Sequence, residues 1–74
     1  MKINNDINGR SAANLVYAFS EISTPIYFIK NDRMANAKSI TGILSLDIKK
    51  NDIINLSYDG NIYEIDSIIK DVLG

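Results

Sequence analysis

The sequence predicts an α+β domain, with helices packed on one face of a sheet, in the order β-α-β-β-α-β-α. Three observations predict it. Apolar residues recur at three- and four-residue spacing in two long stretches, Ala12–Ile22 and Ile62–Val72, and each gives an amphipathic helix. Segments rich in β-branched and aromatic residues, Ile26–Lys30 and Ile53–Tyr58, separate the helical patterns and read as strands. Strand and helix signals mix locally, with no internal repeat, linker or low-complexity tract, so residues 1–74 read as a single domain.

Met1–Ile3 supplies a very short strand suited to an edge, ended by Asn4, Asn5 and Asp6. The first helix starts at Gly9 or Arg10 and runs to Ile22, burying Ala12, Leu15, Val16, Phe19 and Ile22. Thr24-Pro25 stops it, because proline disfavours helical backbone in the residue before it. Ile26–Lys30 is the second strand. Asn31 and Asp32 tolerate positive φ and make a two-residue turn, after which Arg33–Ala37 returns as the hairpin partner. The next helix begins at Ser39, a good N-cap residue, with Ile40, Ile43 and Leu44 at helical spacing. Asp47–Asp52 is polar enough for a loop, and Ile53–Tyr58 is the fourth strand, with Ile54, Leu56 and Tyr58 on one face. Asp59-Gly60 breaks the chain. Asn61 with Glu64 matches a capping box, and the last helix buries Ile62, Ile65, Ile68, Ile69 and Val72 before Gly74 ends it.

A chain of 74 residues buries only about 60% of the surface its unfolded form exposes, so the core has to be compact. No apolar run approaches the ~20 residues a membrane span needs, and Met1–Asn5 carries no secretory pattern. A cytoplasmic location without membrane contact is the expectation. The net charge of −1 and the interspersed signs leave no basic stripe, so nucleic acid is not an expected partner. With no histidine and no cysteine, the usual zinc ligands, general base and thiol nucleophile are missing, and no metal or cofactor is expected. The chain reads as a binding protein and not an enzyme.

Ala37-Lys38-Ser39-Ile40-Thr41-Gly42-Ile43-Leu44-Ser45-Leu46 combines a helix start, a candidate phosphorylation site and a partly apolar surface. It resembles the regulatory-serine helix of HPr, the histidine-containing phosphocarrier family of the bacterial sugar phosphotransferase system. Ile7-Asn8-Gly9-Arg10-Ser11-Ala12 resembles that family's active-site segment, Ile/Leu-His-x-Arg-Pro-Ala, and the two segments are separated as in the family. The resemblance covers nearly the whole chain and implies an open-faced sandwich of four antiparallel strands under three helices.

It also implies roles for individual residues. Asn8 stands at the position of the phosphorylated histidine, and an amide lacks a nucleophilic nitrogen comparable to imidazole, so the phosphocarrier reaction should be absent. Asn8 is then a helix cap or a partner contact. Arg10 matches the arginine that helps hold phosphate, and is otherwise a solvated charge. Ser39 is either a cap alone or the target of an HPr kinase-like enzyme; Ser11 and Ser45 lack a comparable context. Ile40, Thr41 and Leu44 correspond to the family's docking patch, with Thr41 polar where a larger apolar residue is usual, while Ile43 and Leu46 belong to the core.

Three functions follow. The first is a regulatory, non-carrier HPr-like protein, similar to the family's catabolite-repression paralogue, that binds a transcriptional regulator or phosphotransferase-system proteins. The second is a phosphotransferase-system component with an unrecognised acceptor, for which Asp6 is the nearby alternative. The third is a diverged HPr-fold interaction module unrelated to sugar uptake. A weak homodimer is also expected, because Met1–Ile3 is too short to cover the Ile53–Tyr58 strand, while Tyr27 and Ile29 add apolar surface on the open face.

Overall fold

Each helix begins where a side chain satisfies its first free amides. In the computed structural model, which describes residues 1–74, α1 spans Gly9–Phe19 behind Asn8, α2 spans Ile40–Ser45 behind Ser39, and α3 spans Ile62–Leu73 behind Asn61. Three strands lie between them: β1 at Ile26–Lys30, β2 at Arg33–Asn36 and β3 at Asn55–Tyr58, antiparallel in the order β2-β1-β3. The hairpin closes between Lys30 and Arg33, and Asn31 alone of the two turn residues takes positive φ, at 57°.

The sheet has three strands and not the four expected. Met1–Ile3 does run antiparallel to the chain before β3, but Lys2 and Ile53 form a single bridge. On one side of that bridge Met1 and Ile54 exchange backbone bonds, and on the other Ile3 N–H donates to the Asp52 carbonyl at 2.9 Å and Asn51 N–H to the Ile3 carbonyl at 2.8 Å, which holds the segment against a loop. Helix α1 is also shorter than expected. Ser20 turns its hydroxyl back onto the Tyr17 carbonyl at 2.6 Å, and the Ile22 N–H reaches only the Phe19 carbonyl, three residues back. Such side-chain bonds compete with helix propagation. In α3, Asn61 accepts from the Tyr63 N–H at 3.0 Å and Glu64 returns no side-chain bond, so the cap is simple and not reciprocal. Ile62 stays partly exposed and Leu73 is buried in its place.

One cluster of 16 buried side chains joins the layers. Ile26, Phe28 and Ala35 face the helices from the sheet, and Ala12, Leu15, Phe19, Ile43, Ile65 and Ile69 meet them. Phe19 and Phe28 pack edge to face with ring centres 6.0 Å apart.

The 47–52 loop is held by charge outside and by one apolar residue inside. Asp47 and Asn51 take positive φ, at 49° and 75°, and the chain between them turns Ile48 into the core, 1% exposed. Asp52 receives Lys30 at 2.9 Å and the Lys49 N–H at 2.8 Å. The Lys30 hydrogen bond, then that from the Lys49 amide, holds the Asp52 carboxyl below its ordinary range. A depressed folded-state pKa gives stability that is fully present above the unfolded value of about 4 and is lost as pH falls through the lower folded one. Asp52→Asn is therefore expected to lower Tm slightly at neutral pH. Thermal melts of both forms should draw together as pH falls through the depressed folded-state pKa; a gap that stays constant as the pH is lowered would refute the assignment.

Candidate functional site

Two helix starts carry the residues singled out by the sequence. At α1, Asn8 has extended backbone, φ −99° and ψ −177°, and its Oδ1 accepts from the Ser11 N–H at 2.9 Å. Ser11 Oγ accepts in return from the Asn8 N–H at 2.9 Å, which completes a capping box. The cap expected of Asn8 is thus present, and its amide oxygen is directed into the helix. Arg10 is exposed and forms no salt bridge. Beside this helix start lies an open cleft of about 460 Å³ lined by Asn5, Asp6, Asn8, Ser11 and Lys50 with Val72 and Leu73. Asp6 is tied down at its rim, accepting from the Lys50 N–H at 2.7 Å. Asn5 and Lys50 come from segments with no periodic signal, so only the folded chain brings them here.

At α2, Ser39 is half-buried, with extended backbone, and its Oγ accepts from the Gly42 N–H at 3.1 Å. The segment leading to it is fixed on both sides. Asn36 Oδ1 accepts from the Lys38 N–H at 2.9 Å, the Asn36 carbonyl accepts from the Ser39 N–H at 3.0 Å, and Lys38 Nζ donates to the Ile22 carbonyl after α1. Gly42 explains how the helix comes so close. A Cβ there would lie 3.2 Å from the Asn36 carbonyl oxygen and 3.2 Å from Ser39 Oγ. Glycine within a helix costs roughly 1 kcal/mol against alanine, and this close approach is what it permits here.

Ile40 and Leu44 are exposed at 41% and 39%, and Thr41 is exposed between them. Ile43 and Leu46 are buried, as expected of core residues. Thr41 Oγ1 lies 3.2 Å from Ser39 Oγ. The sequence did not point to Tyr17, which stands on α1 at 80% exposure.

The family model described as the PTS HPr component phosphorylation site matches residues 1–65. The chain belongs to the HPr family. Its fold superposes on an HPr from Thermoanaerobacter tengcongensis with a TM-score of 0.81 and 32% identity, covering 99% of this chain and 85% of that one. It is similar also to the histidine-containing phosphocarrier protein of a Mycoplasma, at TM-score 0.79 and 28% identity over 96% of this chain and 84% of that one. The catabolite repression protein Crh of Bacillus subtilis shares the fold at TM-score 0.78 and 20% identity, over 96% and 87% of the two chains. HPr-family membership accounts for the helix order.

Proposed function

We propose that this chain is a regulatory HPr, a cytoplasmic binding protein switched by phosphorylation of Ser39 and not a histidine phosphocarrier. The observation that carries the reading is the placement of Ser39 beside exposed Ile40, Thr41 and Leu44, in a chain of 74 residues that contains no histidine. Asn8, taken to stand where the family's histidine does, spends its amide oxygen on the helix cap. Arg10 remains free to meet an anion. An HPr kinase-like enzyme would modify Ser39, and the phosphate, about −2 in charge with three acceptor oxygens, would offer a partner's arginines a new contact. That partner is a transcriptional regulator or a phosphotransferase-system protein, recognised through Ile40, Thr41 and Leu44 without nucleic acid or cofactor. Likeness in fold to Crh, whose name records catabolite repression, supports the regulatory branch.

Incubation with an HPr-type serine kinase and ATP is expected to place phosphate on Ser39 and on neither Ser11 nor Ser45, as read by fragment mass spectrometry. Modification at those two serines, or none at all, would sink the reading and favour a diverged interaction module.

A weak homodimer belongs to the same reading. Ile54 turns both its N–H and its C=O outward to Met1. By strand alternation Leu56 and Tyr58 turn theirs the same way, where no partner meets them. Such an edge invites a second chain. The Crh structure is itself described as a swapped dimer. Sedimentation at high concentration is expected to show a species heavier than 8.2 kDa; a lone monomer at every concentration would reject it.

A further inference from the structure

We propose that Thr41 is a second phosphoryl acceptor, and that Ser39 and Thr41 are modified one at a time. The inference rests on the Ser39 reading, because it uses the same docked kinase. Thr41 Oγ1 lies 3.2 Å from Ser39 Oγ, so a nucleoside triphosphate aligned on one hydroxyl is within reach of the other. The two hydroxyls differ in freedom. Ser39 is half-buried and its oxygen is engaged by the Gly42 N–H, whereas Thr41 is exposed and has no hydrogen-bond partner besides Ser39. The first turn of α2 carries no acidic residue that would oppose a phosphate there.

In the transfer, Thr41 Oγ1 attacks the γ-phosphorus of ATP. The new O–P bond forms as the bond to the bridging oxygen breaks, ADP leaves, and the hydroxyl proton passes to the kinase's base. Exclusivity follows from charge. A phosphate carries about −2 at neutral pH, and the cation next in sequence, Lys38, has its Nζ committed to the Ile22 carbonyl. A second phosphate attached 3.2 Å away would face the first at close range. The second transfer should be slower by on the order of tenfold or more.

The test treats wild type, Ser39→Asn, Thr41→Val and the double variant with an HPr-type serine kinase and Mg-ATP, and reads intact mass and fragment ions. Ser39→Asn keeps a good helix cap while removing the acceptor, so loss of label cannot be blamed on a frayed helix. Expected are a single phosphate per wild-type chain, found on either residue, phosphate at Thr41 in Ser39→Asn, at Ser39 in Thr41→Val, and none in the double variant. An unlabelled Ser39→Asn beside wild type and Thr41→Val that carry phosphate at Ser39 would overturn the proposal and leave the Ser39 reading standing. Label confined to Thr41 in the wild type would remove the Ser39 reading and keep the second acceptor. Wild-type chains that accumulate two phosphates would overturn exclusivity, and chains without label in every form would overturn both.

Discussion

Mixed with phosphorylated enzyme I, the protein is expected to take up no phosphoryl group, and Asn8→His is expected to restore only weak acceptance. The first half follows from the chemistry of the amide. Its nitrogen lone pair is delocalised, and its oxygen is occupied by the Ser11 N–H at 2.9 Å. No histidine stands elsewhere in the chain to take over. Asp6, the nearby carboxylate, has its Oδ1 engaged by the Lys50 N–H at 2.7 Å. The second half follows from the surroundings. Exchanging Asn8 for histidine removes a favoured cap, at a cost of about 1 kcal/mol in helix stability. The Ser11 N–H loses the side-chain oxygen it donates to, and Ser11 lacks the backbone that proline presets for a first helical turn. Thr41 puts a hydroxyl between Ile40 and Leu44 on the surface proposed for docking. A misplacement of about 1 Å can cost on the order of a hundredfold in rate, so the variant should transfer at least tenfold more slowly than a family phosphocarrier. Radiolabelled transfer assays check each half. Label on the wild type would overturn the account of Asn8, and a variant as fast as a phosphocarrier would show that only the acceptor had been lost.

What could be read without coordinates was the periodic part of the molecule. Helices α1 and α3 bury residues three and four apart, and the cap residues Asn8, Ser39 and Asn61 announce the three starts, so all of these were legible. Ile48 was not. It sits alone among charged residues, and it becomes core because Asp47 adopts a positive φ that no pattern signals. The missing fourth strand has a similar cause, since Ile3 reads as strand but its backbone bonds run to Asn51 and Asp52 in a loop. At the site, Ser39, Ile40 and Leu44 lie on one short helix and were legible as a group. The fit of Gly42 against Asn36 and Ser39 was not, because it joins a strand end to a helix across a turn.

Phe28→Ala should be among the most damaging single substitutions in the chain, costing about 3–5 kcal/mol and leaving much of the population unfolded at physiological temperature. Phe28 is fully buried in the central strand β1, where it stands opposite Ala35 on one side and Leu56 on the other. Ala35 is too small to close a void at that position, and the pairing of both neighbouring strands prevents the backbone from collapsing into it. The Phe19 ring, edge-on to Phe28 at 6.0 Å, would lose its partner as well. Domains this small have stabilities toward the lower end of about 5–15 kcal/mol, so the loss takes most of what there is. Because Phe19 lies on α1, the damage should spread to the Asn8 end of that helix and to the Ser39 surface it supports. Urea denaturation followed by circular dichroism measures the cost, with Phe28→Leu as the milder control that keeps apolar volume. A Phe28→Ala unfolding free energy within about 0.5 kcal/mol of wild type, the range of an ordinary surface change, would mean that the core does not centre on this pair of rings.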